Sequence, residues 1–391
     1  MRVVVIGGGA VGASVALFLR RLGSTGTQVD VVEPDAGLRW ASSARSAASI
    51  RQQFSNRINV QMSQFGLELL THAKEWLEVD GETPDLGFVE SGYLFLATSA
   101  AGSSQLQTNH GVQRAAAAPV RLLSGSALSQ RLPWLRCDDL QQASLGEGGE
   151  GWFDGYALAR ALARKARALG ARWHAARVVG FDQDGARLLA ARLSDGSCLS
   201  ADVFVNAAGA WAREVAALAG VEVAVFGRRR TVFNFSCPTA LPRTPLVVDP
   251  SGIWFRSEGS GFIGGWTPGP QDSDPDGLPL DQPDLDQFDE HLWPALAHRV
   301  PAFEALRRTA AWDGYYEVHP LDHNALIGRH PQRANLMLAC GFSGHGLQHA
   351  AAAGRGLAEL ILQGRFLSLD LTPFTPERML NGRRFVEQAV I

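Results

Sequence analysis

The chemistry this chain could perform is concentrated in a few short runs of glycine, arginine and hydroxyl residues. The first run is Gly7-Gly8-Gly9-Ala10-Val11-Gly12, preceded by apolar Val3-Val4-Val5-Ile6 and followed by the apolar stretch Ala13 to Leu19. A buried strand, a glycine turn and a helix start, in that order, make a dinucleotide site. Gly7 permits the tight turn, Gly9 lets the backbone approach a pyrophosphate, and Gly12 lets the helix pack closely on its strand. The phosphates then sit on unpaired N–H groups at the helix N-terminus, around Ala10 and Val11. A second apolar run, Val29-Asp30-Val31-Val32, ends in Glu33-Pro34. A carboxylate there can accept both hydroxyl hydrogen bonds of an adenosine ribose.

With 42 glycines in the chain this spacing recurs, and context has to decide. Gly146-Glu147-Gly148-Gly149-Glu150-Gly151 is read as following no strand, and its two carboxylates would repel phosphate. Gly259-Ser260-Gly261-Phe262-Ile263-Gly264 sits between two strand-like runs and reads as a hairpin turn. Only the first match has a strand before it, a helix after it, and an acid closing a second strand.

Other chemistry is weaker. The pairs His345/His349 and His319/His323 have the i, i+4 spacing of metal ligands, but Pro320 breaks up the second, and no metal site is expected. Ser343, between Gly341 and Gly344, falls short of a nucleophile elbow because position 345 is histidine. Cys137, Cys198, Cys237 and Cys340 lie far apart with no C-x-x-C pair, which fits a reduced cytosolic protein better than a disulfide framework. Of 36 basic side chains only Lys74 and Lys165 are lysine. Arg228-Arg229-Arg230 is either a docking patch for a redox partner or a solvated strand end pairing with nearby acids.

The elements that must position these residues follow from periodicity. Hydrophobic content of 46% and charged content of 19% over 391 residues describe a soluble globular chain with room for two domains. A net charge of −3 gives no reason to invoke nucleic acid or an anionic membrane surface. No stretch approaches ~18 apolar residues, so no membrane span is expected. Val3 to Leu19 is flanked by arginines like a targeting signal, but its glycine spacing argues against that. Helices are expected over 59–77, 156–169, 285–300 and 347–362, and strands over 87–97, 172–181, 203–205 and 336–339. Residues 221–266 alternate like antiparallel sheet. The segment 100–120 reads as a mobile surface region and 268–286 as a loop. Nucleotide-type units therefore lie at the start, middle and end. The expectation is an α/β fold (α+β overall) of two interleaved domains: 1–80, 143–218 and 316–391 for a cofactor, 81–142 and 219–315 for a substrate.

On its motifs the chain resembles the D-amino-acid oxidase/sarcosine oxidase family of FAD-dependent oxidoreductases, nearly end to end. The matching pieces are Gly7-x-Gly9-x-x-Gly12, Glu33, Ser42-Ser43-x-Arg45, Ala207-Ala208-Gly209-Ala210-Trp211, Asp322-x-x-Ala325-x-Ile327-Gly328 and Gly341-Phe342-Ser343-Gly344-His345-Gly346. The runs Ser49 to Ser55 and Gly346 to Ala350 look most like the dehydrogenase-like branch, which includes a flavoprotein implicated in respiratory complex I assembly. The resemblance implies a Rossmann-type FAD domain, a substrate domain of large antiparallel sheet, and oxidation of an amino acid or N-alkyl amino acid.

It also implies roles for named residues. FAD would be contacted by Gly7, Gly9, Ala10, Val11, Gly12, Glu33 and Pro34, and by the loop Ser42, Ser43, Arg45, Ser46, Ala47 and Ala48. Further contacts would come from Val178, from Ala207, Ala208, Gly209 and Trp211, and from Gly314. The last would come from Gly341, Phe342, Ser343, Gly344, His345, Gly346, Leu347 and Gln348. Arg51 matches an arginine that binds the substrate carboxylate, as a guanidinium fork can, and Tyr316 matches an active-site tyrosine. A flavin-loop arginine and a core tyrosine are the alternatives.

Three departures refine this. Gly314 stands where sarcosine oxidases carry a flavin-linking cysteine, and the 42–48 loop has no histidine, so FAD is expected to be non-covalent. Ile263 replaces the lysine that activates oxygen, which favours a dehydrogenase or slow oxidase passing electrons to a protein or quinone. Gln348 replaces a lysine that helps hold the carboxylate, so either Arg51 acts alone or the substrate differs. The expected partner is a small amine or amino acid, in the cytoplasm or attached peripherally at the inner membrane. The alternative function is an FAD-binding assembly or scaffold protein acting on a respiratory or other partner protein.

Overall fold

The apolar run that opens the sequence becomes the centre of a six-stranded sheet. In the computed structural model, which describes residues 1–269 and 271–389, Arg2–Ile6 lies between Gln28–Val32 and Val203–Asn206, parallel to both. Arg172–His174 and Leu336–Cys340 extend the sheet in parallel, and Leu326–Arg329 closes one edge antiparallel. Helices cover one face, so Val3 and Val5 pack with Leu17, Leu162 and Leu357. On the other face Val4, Ile6, Phe204 and Leu338 pack with Phe181, Leu188 and Val215, from a three-stranded antiparallel sheet and the helix Ala212–Leu218. Burial on both faces is why these strands read as continuous Val/Ile/Leu runs.

The second large sheet has eight strands. Its order runs Arg307–Val318, Phe226–Ser236, Gly261–Trp266, Ile253–Glu258, Leu246–Val248, Tyr93–Ala97, Gln142–Gly146 and Val120–Ser124. All neighbours pair antiparallel except Leu246–Val248 with Tyr93–Ala97. One face carries an aromatic core in which Phe303 meets the rings of Phe235, Phe255 and Phe262. The other face presents Tyr93, Val232, Trp254 and Ile263 to the hydroxyl-rich loop around Ala47. No described helix is long and apolar enough to cross a membrane.

Several expectations are corrected. Residues 100–115 are not a mobile surface segment but a 16-residue helix, with the Ser99 hydroxyl capping Gly102 N–H at 3.1 Å. Its Ala/Gln content favours helix, while its weak amphipathic period hid it. The glycine match at 146–151 does follow a strand, Gln142–Gly146, and Glu150 is fully buried instead of repelling anions at the surface. The expected strand 172–181 is two strands in different sheets. The expected helix 59–77 starts at Arg57 and breaks at His72, and the one at 285–300 begins as a π-turn at Phe288. In the loop 268–286, Pro270 lies outside the described residues. This loop is fastened to the arginine run, with Arg230 gripping the Asp274 carboxylate at 2.7 and 2.8 Å.

Candidate functional site

The first glycine turn does what its spacing demands. Gly7 has φ +101°, and a Cβ there would stand 2.3 Å from the Ala207 carbonyl oxygen. At Gly12 a Cβ would stand 1.9 Å from the Gly7 carbonyl oxygen, so this glycine serves helix packing. At Gly9 a Cβ would meet only the Ser43 hydroxyl, at 3.3 Å, and would otherwise fill the cleft. That cleft is ≈ 490 Å³ and is lined by Gly7, Gly9, Ala10, Val11, Glu33 and Pro34, by Ser42 and Ser43, and by Val178, Ala207, Ala208, Gly209 and Trp211.

The donor set fits a dinucleotide. The helix starting at Ala10 has no acid in its first turn, so its positive end faces the cleft; the Ala10 N–H expected to be unpaired donates to Ser43 Oγ at 3.0 Å. Glu33 is anchored by accepting from Gly8 N–H (2.8 Å) and Asp35 N–H (2.9 Å), one bond on each oxygen, which leaves lone pairs for ribose hydroxyls. Burial pushes its carboxyl above the ordinary value.

The cleft continues past Ala10, Val11 and Ser43 into a second space lined by Arg45, Ser46, Ala47, Gly314, Tyr316, Gly344, Gly346 and Leu347. The loop is held there by Ser42 Oγ donating to the Tyr315 carbonyl (2.7 Å) and Arg45 Nη1 donating to the Asp313 carbonyl (2.8 Å). A Cβ at Gly314 would press within 3.1 Å of the Arg45 carbonyl, which explains glycine at that position. Gly341 and Phe342 line none of these spaces; Phe342 belongs to the core.

Beyond this space lies a cavity walled by Ser46 to Ser49, Arg51, Tyr93, Trp254, Tyr316, Ser343, His345 and Gln348. Arg51 is 1% exposed, yet no carboxylate of the described residues pairs with it. Its guanidinium donates to the carbonyls of Gln53 and Ala389, lies 3.2 Å from His345 Nε2, and sits 3.9 Å over the Phe54 ring. A buried cation with no direct carboxylate partner is costly; burial lowers the Arg51 pKa, and Tyr93, Glu387 and Glu150 oppose that without touching the guanidinium. Burial also holds His345 well below its ordinary value and pushes His349 down to about 3, so both imidazoles are neutral. As a neutral ring facing a guanidinium, His345 accepts at Nε2 and carries its proton on Nδ1.

Gln348 reaches this site from the helix Gly346–Gln363. Its Oε1 accepts from Arg51 N–H and from Ser63 Oγ, both at 2.9 Å, so it anchors the arginine's backbone. Tyr316 lines both spaces, with burial raising its phenol.

Residues missed from sequence include Glu317, Arg256 and the tail around Glu387. Glu317 lines both the dinucleotide cleft and its continuation, accepts from Gly341 N–H at 3.0 Å, and is pushed up to about 7 by burial. Its place beside Tyr316 was the available signal. Glu387 is buried and accepts from Ser55 N–H and Oγ, Asn59 Nδ2 and Ala389 N–H at 2.7–2.9 Å, fastening the segment that meets Arg51. Nothing local marks it.

Known proteins share this architecture. A family profile described as FAD dependent oxidoreductase (DAO) matches residues 2–360. The FAD-dependent oxidoreductase domain-containing protein 1 of Bos taurus is 38% identical over 425 residues, spanning 100% of this chain and 87% of that protein. The mitochondrial sarcosine dehydrogenase of Homo sapiens is 27% identical, covering 98% of this chain and 41% of that protein. The crystal structure of L-proline dehydrogenase from P. horikoshii matches with a TM-score of 0.84 at 26% identity, over 98% of each chain.

Proposed function

The chain belongs to the FAD dependent oxidoreductase (DAO) family, and on that premise we propose that it oxidises the amine of an amino acid or N-alkyl amino acid, held by its carboxylate on Arg51. The observation that carries this is Arg51 itself: fully buried, lining a cavity, and without a direct carboxylate partner among the described residues. A substrate carboxylate supplies a direct counter-charge, held on the Nη1 or Nε protons that Gln53, Ala389 and His345 leave free.

FAD, the cofactor of this family, supplies a two-electron acceptor when bound, and Gly7, Gly9, Glu33, Ser43 and Gly209 are the residues that would hold it. Gly314 in place of a linking cysteine supports non-covalent attachment. The residues around Arg51 place the substrate and set its protonation. His345 and His349 are neutral, so neither adds a second positive charge beside Arg51. That cation, with the ring faces of Tyr93 and Trp254, disfavours a second positive charge, so the amine sits in its neutral form, as loss of hydride from the adjacent carbon requires. Tyr316 closes the wall between the two spaces. The imine product hydrolyses to a keto acid, or to an aldehyde and a shorter amine. With Ile263 where a lysine would activate oxygen, a dehydrogenase or slow oxidase is the form expected.

We assign FAD binding to 1–80, 143–218 and 316–391 and substrate placement to 81–142 and 219–315. Arg51, Tyr316 and Gln348 come from the first set and Tyr93 and Trp254 from the second. The test is anaerobic bleaching of the flavin band by D-, L- and N-methyl amino acids. Bleaching by one class is expected. A flavin left oxidised by every carboxylate-bearing amine would sink the proposal in favour of a scaffold role.

A further inference from the structure

A cavity of ≈ 620 Å³, which the proposed amine chemistry does not use, lies between the hydroxyl-rich loop and the eight-stranded sheet. Ser43, Ser46 and Ala47 line both this cavity and the continuation of the dinucleotide cleft, so a single stretch of chain separates the two spaces. Its lining includes Trp152, Phe153 and Trp312, and aromatic side chains suit a planar ligand. Arg256, 4% exposed, also lines it. Its Nη2 donates to the Ala47 carbonyl at 2.8 Å, Nη1 donates to the Ser257 carbonyl and to Glu258, and the guanidinium lies 4.5 Å over Trp152. The buried Nε–H has no partner among the described residues. Sheet register sets Arg256 directly opposite Ile263, so the strand next to the missing lysine carries a cation touching the same loop.

We propose that this cavity is the electron-acceptor site and that its ligand is a quinone, its ring held among Trp152, Phe153 and Trp312 and a carbonyl oxygen drawn to Arg256. The inference rests on the proposed amine oxidation. That reaction leaves two electrons and two protons to be removed per turnover, and a p-quinone takes up both, its two carbonyls becoming hydroxyls. Arg256 opposes the negative charge that develops on the quinone oxygen during transfer. A cleft of that volume with aromatic residues among its lining accommodates a planar ring; oxygen needs no such volume, and a protein surface would meet a flat face.

The experiment uses the purified yellow holoprotein and duroquinone, whose fully substituted ring cannot alkylate the exposed Cys198. Calorimetry on the oxidised protein reads binding directly. Anaerobic photoreduction followed by mixing with duroquinone or with air reads reoxidation at the flavin band, with no amine substrate required. Saturable binding is expected, with quinone reoxidation at least tenfold faster than in air. Arg256→Met should weaken binding and slow quinone reoxidation by tenfold or more at unchanged FAD content, and Arg256→Lys should restore part of both. Absence of binding, or equal quinone rates in wild type and Arg256→Met at equal FAD content, overturns the acceptor site. A flavin that no amino acid bleaches overturns the amine-oxidation reading instead, and with it the site's purpose.

Discussion

Replacing Arg51 with methionine separates a substrate-binding role from a structural one, because the two predict opposite patterns. In the folded chain the guanidinium serves the carbonyls of Gln53 and Ala389 and stacks on Phe54. Leaving two buried carbonyls unmade costs about 1–3 kcal/mol each, and losing the cation–π contact costs about 1–2 kcal/mol. Against this, the variant no longer buries an unpaired cation, a relief of several kcal/mol. The terms nearly cancel, so net stability should change by no more than about 2 kcal/mol and Tm by a few degrees. Binding has no such cancellation. With Nη2 committed to Ala389 and His345, one charge-assisted hydrogen bond to a substrate carboxylate contributes about 1.5–3 kcal/mol, so its loss should cut carboxylate affinity or kcat/KM by roughly 10–10². The assay pairs a thermal melt with titration of the flavin difference spectrum by acetate and propionate, then anaerobic bleaching by the best amino acid. A Tm lowered by ten degrees or more with carboxylate affinity unchanged would refute the argument and return Arg51 to the scaffold.

Gly9→Val should leave the fold intact, since a Cβ there meets only the Ser43 hydroxyl, but should cut FAD affinity at least a hundredfold; far-UV dichroism with bound-flavin content checks both halves. Glu317 should make the protein less stable as pH rises. Its folded carboxyl is held near 7 against an ordinary 4.5, so the folded state binds more protons than the unfolded one between these values. Stability is fullest below about 4.5 and is lost as pH rises through 7, by up to about 3 kcal/mol. Denaturant titrations from pH 5 to 8.5 should show Glu317→Gln flattening that slope. Glu150, also held near 7 by burial, acts in the same direction, so the double variant with Glu150→Gln should be flatter still. Glu387→Ala strips the acceptor from Ser55, Asn59 and Ala389 N–H. It should expose the 385–389 segment to protease and weaken carboxylate binding about tenfold while FAD is retained; unchanged affinity in a protease-sensitive variant would disconnect this segment from Arg51.

How legible a feature was depended on how far apart in sequence its parts lie. The strand–turn–helix and the acid of the second strand fall within the first 33 residues, and each is dictated locally: by β-branched apolar runs, by the φ that only glycine tolerates at Gly7, and by the room a missing Cβ leaves at Gly9. These dictate the fold class and point to a dinucleotide site without any tertiary contact. Family likeness added Arg51 and Tyr316 as names without geometry. The 100–115 helix escaped because its stability comes from Ala/Gln propensity and packing, not from an amphipathic stripe. Tertiary structure alone decided that Arg51 is buried without a carboxylate, because its partners His345, Gln348 and Ala389 lie about 300 residues away. It alone buried Glu150 and Glu317 and set Arg256 opposite Ile263. Burial, and the shifts in charge state that follow from it, belong to the space enclosed by several distant segments. No stretch of sequence carries that information by itself.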